Sequence, residues 1–216
     1  MPDARKLDEI TFDEMLELAS LGAQVLHNRS VEMAKRYNMN IEVLSSFTGA
    51  PGTIVKEAVK KVEKTYISGV AQDKNVARLA IVGLRDVPGV AFKVFNLLAK
   101  EKINVDLIIQ SIGRADSKDI SFTVATPDAD KAYEVIKENQ AALGFDHVDI
   151  NHDVAKVSVV GGMVDNPGVA ATVFEALYEA HINIKMISTS EIKVSVLIDK
   201  EDTDRAVSAI HAKFFQ

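Results

Sequence analysis

Apolar and polar residues follow the same order twice in the later part of the chain. Each time, a short apolar run typical of a buried strand leads into a proline–glycine turn and then into apolar positions at helical spacing. A second apolar run then opens with asparagine. The residues Asp86, Pro88, Gly89 and Asn104 recur in step, at an offset of 79, as Asp165, Pro167, Gly168 and Asn183. This repetition predicts a duplicated module.

Each copy is predicted to follow the order of a ferredoxin-like α+β fold, βαββαβ, with both helices on one face of an antiparallel sheet. The first copy gives strands 77–84, 104–112, 119–125 and 145–151 with helices 90–101 and 128–142, and the second gives strands 155–160, 183–188 and 193–199 with helices 169–180 and 203–215. The second copy lacks a last strand, whereas residues 66–71 form a strand with no module of its own. Because an unpaired sheet edge would otherwise stay open, we predict that 66–71 completes the second copy and that the first copy is inserted in the second.

The N-terminal part follows a different pattern. A capping box, Thr11 to Glu14, predicts a helix over 11–20, and a second helix with Val25 facing inward is predicted over 22–37. A strand over 41–47, a loop over 48–53 and a lysine-rich linker or short helix over 54–64 are predicted to follow. Two helices and one strand make a poor independent core, so this segment is expected to be the end of another domain. The predicted domains are 1–64 for this end and its linker, 77–151 for the first module, and 66–71 with 154–216 for the second.

The turn in each copy combines groups that could hold a free amino acid. Proline and glycine allow a tight bend, and the first N–H groups of the next helix, from about Gly89 to Ala91, lack helical partners and suit a carboxylate. Asp86 could accept an ammonium group or cap the helix, and Asn104 could hydrogen-bond in either direction. The alternative is that the aspartates are only caps and the glycines only turn residues. The local pattern alone favours that alternative. The duplication of the turn, together with a family resemblance, reverses this preference and favours the amino-acid site.

Composition removes several classes of function. A chain of 216 residues with 47% hydrophobic residues can bury one large core or two smaller ones, and a net charge of −6 argues against a nucleic-acid partner. It has no cysteine, and its five histidines have no ligand spacing, so no metal site is expected. No signal peptide and no apolar run long enough to span a bilayer is present, so the chain is expected to be soluble, cytoplasmic and without a membrane partner.

The repeated turns, together with the runs at 103–110 and 182–192, resemble the paired ACT domains of aspartate kinase. The most specific run is Ile187-Ser188-Thr189-Ser190-Glu191. The segment that ends in Ser45-Ser46-Phe47 resembles the end of the kinase domain of that family, although Leu44 stands where the family usually has arginine. The phosphate-binding start of the kinase domain is missing, so the chain, whether an excised fragment or a natural short subunit, is expected to be inactive alone.

The resemblance implies that lysine, threonine or both bind between ACT modules and inhibit the ATP-dependent phosphorylation of aspartate. It also implies a homodimer through the ACT domains, with or without a catalytic subunit. No cofactor is expected in this chain, because ATP and Mg²⁺ belong to the missing catalytic part. The alternatives are a non-catalytic dimerisation subunit that binds no effector and, less favoured, a self-sufficient enzyme.

The effector-site residues that the resemblance implies come from both copies. In the first copy they are Asp86, Pro88, Gly89, Val90, Ala91, Asn104, Val105, Asp106 and Gln110, and in the second they are Met163, Asp165, Asn166, Pro167, Gly168, Val169, Asn183, Ile184, Ser188, Thr189, Ser190 and Glu191. A lysine side chain would need an acidic or carbonyl-rich end to its pocket, for which Asp106 and Glu191 are candidates. Threonine would need one hydroxyl partner, such as Gln110. The sequence leaves the choice between the two effectors open.

Overall fold

The computed structural model describes residues 4–23, 25–58, 67–111, 117–163 and 166–215. The chain divides into two compact units. One unit comprises Met1–Asp73, Lys156–Ile198 and Asp202–Gln216, and the other comprises Lys74–Ala155 with Asp199–Glu201. No helix among the described residues is long and apolar enough to cross a bilayer.

The first unit begins with a small mixed sheet that packs on two helices. Its elements are β1 (Glu9–Thr11), α1 (Phe12–Ser20), α2 (Asn28–Arg36), β2 (Ile41–Val43) and β3 (Thr53–Lys56). Strand β3 is central, parallel to β1 and antiparallel to β2. The predicted capping box is present, because the Thr11 hydroxyl accepts from the Glu14 N–H and the Glu14 carboxylate accepts from the Thr11 N–H. Helices and sheet enclose a core that includes Ile10, Phe12 and Val55.

Three predictions for this segment were wrong. The helix predicted from residue 22 begins only at Asn28, because Gly22 has φ +98° in a turn, and Val25 is 61% exposed instead of inward-facing. The strand predicted over 41–47 ends at Val43. Part of the predicted linker or helix over 54–64 is strand β3, whose Val55 is fully buried between two neighbours. Residues 59–66 lie outside the described part of the chain.

The second unit is a complete ferredoxin-like module. Its elements are β5 (Val76–Arg85), α3 (Val90–Lys100), β6 (Val105–Gln110), β7 (Ser117–Ala125), α4 (Ala129–Glu138), α5 (Gln140–Leu143) and β8 (His147–Asn151), and they follow β4 (Ile67–Asp73). The sheet order is β6-β7-β5-β8, and every neighbouring pair is antiparallel. Its core combines alternate residues of β5, such as Leu79 and Ile81, with Val94 and Leu98 of α3. The helix predicted over 128–142 is divided at Asn139, whose side-chain amide donates to the Val135 carbonyl at 2.8 Å.

The second module lies in the first unit and repeats the same order with one strand taken from earlier in the chain. Its further elements are β9 (Val154–Gly161), α6 (Val169–Glu179), β10 (Met186–Thr189), β11 (Lys193–Asp199) and α7 (Thr203–Phe215), and the sheet order is β10-β11-β9-β4. Strand β4 pairs antiparallel with β9, from Val70 opposite Val159 to Asp73 opposite Lys156. This pairing confirms the predicted fold, in which the first module is inserted in the second. The strand predicted from Asn183 begins later, at Met186.

Candidate functional site

The first-copy turn joins β5 to α3 and presents unpaired backbone donors. Gly89, the residue before the helix, has φ +88° in the left-handed region, and no side chain caps α3. The Val90 N–H donates back to the Val87 carbonyl at 3.3 Å, whereas the N–H groups of Ala91 and Phe92 meet no protein acceptor among the described residues. A Cβ added at Gly89 would meet no described atom within 4 Å. The turn therefore offers exposed positive backbone dipoles beside open space, which suits an anionic group.

Asp86 is not the cap of this helix. Its carboxylate pairs instead with the Lys118 ammonium of β7 at 2.6 Å, and the two side chains are 51% and 12% exposed. Sequence reasoning missed Lys118, because its place depends on the strand register that sets it opposite Leu84, two residues before Asp86. The pairing shows that this carboxylate can hold an ammonium group at the turn.

Strand β6 carries a bulge among the predicted site residues. Val105 pairs with Val124 and Ile108 pairs with Phe122, so β6 has one residue more than its partner in this interval. The Leu107 N–H, which the bulge removes from the ladder, donates to the buried hydroxyl of Thr123 at 3.0 Å. Bulges re-aim side chains next to functional sites. The bulge therefore gives Asp106 an orientation that a regular strand would not.

The second-copy turn differs from the first in its backbone. Gly168 has φ −162°, an extended value that any residue adopts, and its N–H donates to the Asn166 carbonyl at 2.8 Å. The N–H groups of Ala170 and Ala171 have no acceptor among the described residues, as at the matching positions of the first copy. A Cβ at Gly168 would also meet no described atom within 4 Å. The two turns thus reach the same pair of free donors through different conformations.

Backbone hydrogen bonds bring the second-copy turn to the segment that follows β10. The Met163 N–H donates to the Glu191 carbonyl at 3.0 Å, and the Gly161 N–H donates to the Ile192 carbonyl at 3.0 Å. The Ser190 N–H donates to the Lys193 carbonyl at 2.9 Å, which folds this segment into a tight turn. Two parts of the predicted site that are far apart in sequence are therefore adjacent in the fold.

The remaining predicted site residues divide by exposure. Val90 and Val169 are 3% exposed in the two cores, so only their backbone could meet a ligand. The exposed ones are Pro88, Asn104, Asp106, Gln110, Pro167, Asn183, Thr189, Ser190 and Glu191, and the partly buried ones are Ala91, Val105, Met163, Asn166, Ile184 and Ser188. Asp165 lies outside the described residues.

Two surface pockets lie away from these turns. One, of about 490 Å³, is lined by residues of α2, of β2 and of the segment between them, which include Met33, Tyr37 and Met39. The other, of about 360 Å³, lies between α6 and α7 and includes Ala176 and Ala209. Neither contains a predicted effector residue. The described residues also hold no cluster of three potential metal ligands among histidine, cysteine and acidic side chains.

Family comparisons assign both parts of the chain. A family described as "ACT domain" matches residues 79–140 and 157–214, and one described as "Amino acid kinase family" matches residues 1–45. An aspartokinase of Mycolicibacterium smegmatis is 46% identical over 99% of this chain, which covers 52% of that relative. The chain spans about half the length of the curated relatives that it matches.

Solved structures resemble the chain as well. The regulatory subunit of aspartate kinase from Thermus thermophilus, in its ligand-free form, matches 69% of the chain with 38% identity and a TM-score of 0.66, and 99% of that subunit is covered. E. coli aspartokinase III in complex with lysine and aspartate, described as the T-state, matches the whole chain with 27% identity and a TM-score of 0.75, and 48% of its length is covered. Over the matched residues, both neighbours share the fold of this chain.

Proposed function

Because this chain belongs to the aspartokinase family, as a regulatory region with two ACT domains and the end of an amino acid kinase domain, we propose that it senses lysine, threonine or both. The effector binds at interfaces between ACT modules and inhibits the ATP-dependent phosphorylation of aspartate in the cytoplasm. For inhibition, the effector must bind the inhibited arrangement more tightly than the active one, and a coupling of about 1–3 kcal/mol is the ordinary range.

The observation that carries this proposal is the duplicated helix start with two free N–H groups. Ala91 and Phe92 in the first copy, and Ala170 and Ala171 in the second, present donors for a carboxylate beside an open glycine position. In the first copy Asp86 already holds an ammonium group, that of Lys118. A free amino acid carries these same two charges. The lysine complex of the E. coli relative supports lysine as one of the effectors.

We propose that the chain by itself transfers no phosphate. Phosphoryl transfer depends on groups that position and neutralise the phosphates of ATP. The described part of the matched kinase residues, 4–23 and 25–45, contributes two short helices and part of a small sheet. ATP and Mg²⁺ belong to the catalytic part of the family. An assay for aspartyl phosphate with the purified chain, ATP and Mg²⁺ should give no product above the protein-free blank.

We also propose that ACT modules pair between two copies of the chain. Strands β6 and β10 are the matching edges of the two sheets, and they expose isoleucines at equivalent positions, Ile108 at 52% and Ile187 at 43%. Open sheet edges and exposed apolar residues favour association. Sedimentation equilibrium should show a dimer, and Ile108→Lys should weaken it. A monomer at micromolar concentration would contradict this part of the proposal.

Titration calorimetry tests effector binding directly. Lysine and threonine are titrated separately into the chain, with valine as a control that has the same α-amino acid groups and lacks both side-chain functions. We expect saturable heat with at least one effector, and weaker binding in Asp86→Ala and Gly89→Val with the fold retained. No heat from either effector at millimolar concentration would overturn the proposal and leave a dimerisation subunit without effector binding.

A further inference from the structure

Helix α1, which belongs to the kinase-end segment, is fastened to the second ACT module by an ion pair. The Lys193 ammonium, at the first residue of β11, lies 2.8 Å from the Glu17 carboxylate in the last half of α1. The two side chains are only 21% and 25% exposed. Partial burial reduces the screening of such a pair by water and salt. The contact joins residues 176 positions apart in the sequence.

A second polar contact ties the start of the same helix to strand β4. The Ser68 hydroxyl donates to the Glu14 carboxylate at 2.7 Å. The other oxygen of Glu14 closes the capping box with Thr11, and Glu14 is 3% exposed. One buried carboxylate therefore serves both the helix start and the module.

Apolar packing continues this interface along the helix. Leu21, Ala71 and Val160 form a buried cluster with Leu18 packed against it. A Cβ at Gly69 of β4 would lie 3.4 Å from the Leu18 side chain, which shows that Leu18 packs directly over this strand position. Contacts with the module therefore recur from Glu14, near the start of α1, to Leu21, the residue that follows it.

The module side of this interface is continuous with the predicted effector site. Lys193 directly follows the turn that contains Ser190 and Glu191, and its carbonyl accepts from the Ser190 N–H at 2.9 Å. The Glu191 carbonyl in turn accepts from the Met163 N–H. A short segment, residues 190–193, therefore contacts the second-copy turn at one end and α1 at the other.

We propose that α1 is the output element of the second ACT module and that the Lys193–Glu17 ion pair relays effector occupancy to the kinase-end segment. This inference rests on the proposed function and identifies the contacts through which effector binding would reach the kinase-end segment. A ligand that fixes the turn at 190–191 selects one position of Lys193, and the position of Glu17 is biased with it. The relay is a contiguous set of packed and hydrogen-bonded groups, the kind of structure through which two sites can be coupled.

Hydrogen exchange of the α1 amides tests the attachment without any effector. In Lys193→Met the α1 amides should exchange roughly three- to fivefold faster. A change of this size is expected because the loss of one partly exposed ion pair weakens the attachment of the helix only modestly. The matched control is Lys213→Met, which removes ion pairs with Glu175 and Glu179 on α6 and should leave α1 unchanged. The charge exchange Glu17→Lys with Lys193→Glu should restore protection. Unchanged α1 exchange in Lys193→Met would overturn the proposal.

The effector arm uses whichever of lysine and threonine binds the wild-type chain. Saturation with the effector should change the hydrogen exchange of the α1 amides in the wild type and in Lys213→Met. Lys193→Met should bind the effector within about twofold of wild-type affinity, but its α1 amides should exchange at the same rate with and without effector. Normal binding with an unresponsive wild-type α1 would overturn the relay alone. Absence of binding to the wild type would overturn the proposed function and the relay with it, and the effector-free result would still stand separately.

Discussion

At the scale of single residues, the two duplicated turns are not chemically equivalent. Gln110 pairs with Ile120 in the first sheet, and the equivalent Thr189 pairs with Val194 in the second. Two residues before Ile120 the first copy has Lys118, and two residues before Val194 the second copy has Ile192. Only the first copy therefore places a lysine of its own sheet at this position, where it neutralises the acidic side chain of the turn. An effector ammonium at the first-copy turn has to share Asp86 with Lys118.

Replacing Lys118 by methionine should strengthen effector binding at the first copy. The substitution frees the Asp86 carboxylate for the ligand ammonium. Because the Asp86 side chain is half exposed, its ion pair with Lys118 is weak, so the gain in affinity should be about fivefold at most. Calorimetry with lysine and threonine measures it. The matched control is Lys131→Met, because Lys131 pairs with Glu101 at the other end of α3 and its hydrogen bond lowers the pKa of that carboxyl. Weaker binding in Lys118→Met would show that Lys118 contacts the ligand instead.

Alanine substitutions at the two turn glycines should distinguish the effect of backbone strain from the effect of steric crowding. Neither added Cβ meets a described atom, but Gly89 has φ +88° and Gly168 has φ −162°. We expect Gly89→Ala to lower the free energy of unfolding by about 1 kcal/mol, because a side chain is disfavoured in the left-handed region. Gly168→Ala should be neutral or slightly stabilising. Urea unfolding measures both, and equal losses would contradict the difference in conformation.

At the scale of elements, prediction succeeded where local pattern and tertiary environment agree. Strand β11 and helix α7 have their predicted bounds, and the capping box placed the start of α1 correctly. Prediction failed where long-range contacts decide. Strand β3 is a strand because β1 and β2 flank it, and its lysine-rich continuation resembles a linker. The Lys118 and Lys193 ion pairs were missed for the same reason, since register and packing, which a single sequence does not display, bring their partners together.

The capping box of α1 should have a measurable effect on stability. Thr11→Ala removes the acceptor of the Glu14 N–H and the donor to its carboxylate, and we expect a loss of about 1 kcal/mol in the free energy of unfolding. Thr48→Ala, at an exposed residue outside the helices and strands, is the control and should change it by less than about 0.5 kcal/mol. Urea unfolding followed by circular dichroism compares the two variants. Equal effects would show that the helix start depends on packing alone.

At the scale of the whole molecule, the chain enters and leaves the first module at adjacent points of the second. Asp73 ends β4 and Lys156 lies in β9, and the two residues are partners at one end of an antiparallel pair. Among the described residues, 74–155 supply the four strands of the sheet β6-β7-β5-β8 and the helices of the same module. The second sheet, by contrast, depends on a strand that precedes the insertion. The connectivity therefore makes the first module removable and makes β4 indispensable.

Replacing residues 74–155 by Asn-Gly should leave a folded second module. The dipeptide would close Asp73 and Lys156 into a two-residue hairpin, for which Asn-Gly is the favoured sequence. We expect a cooperative thermal transition and dispersed amide resonances from this variant, and the same from residues 74–155 expressed alone. A chain of residues 154–216 alone, which lacks β4 and leaves β9 as an open edge, should aggregate. If this shorter chain were monomeric and folded, β4 would not be the strand that completes the sheet.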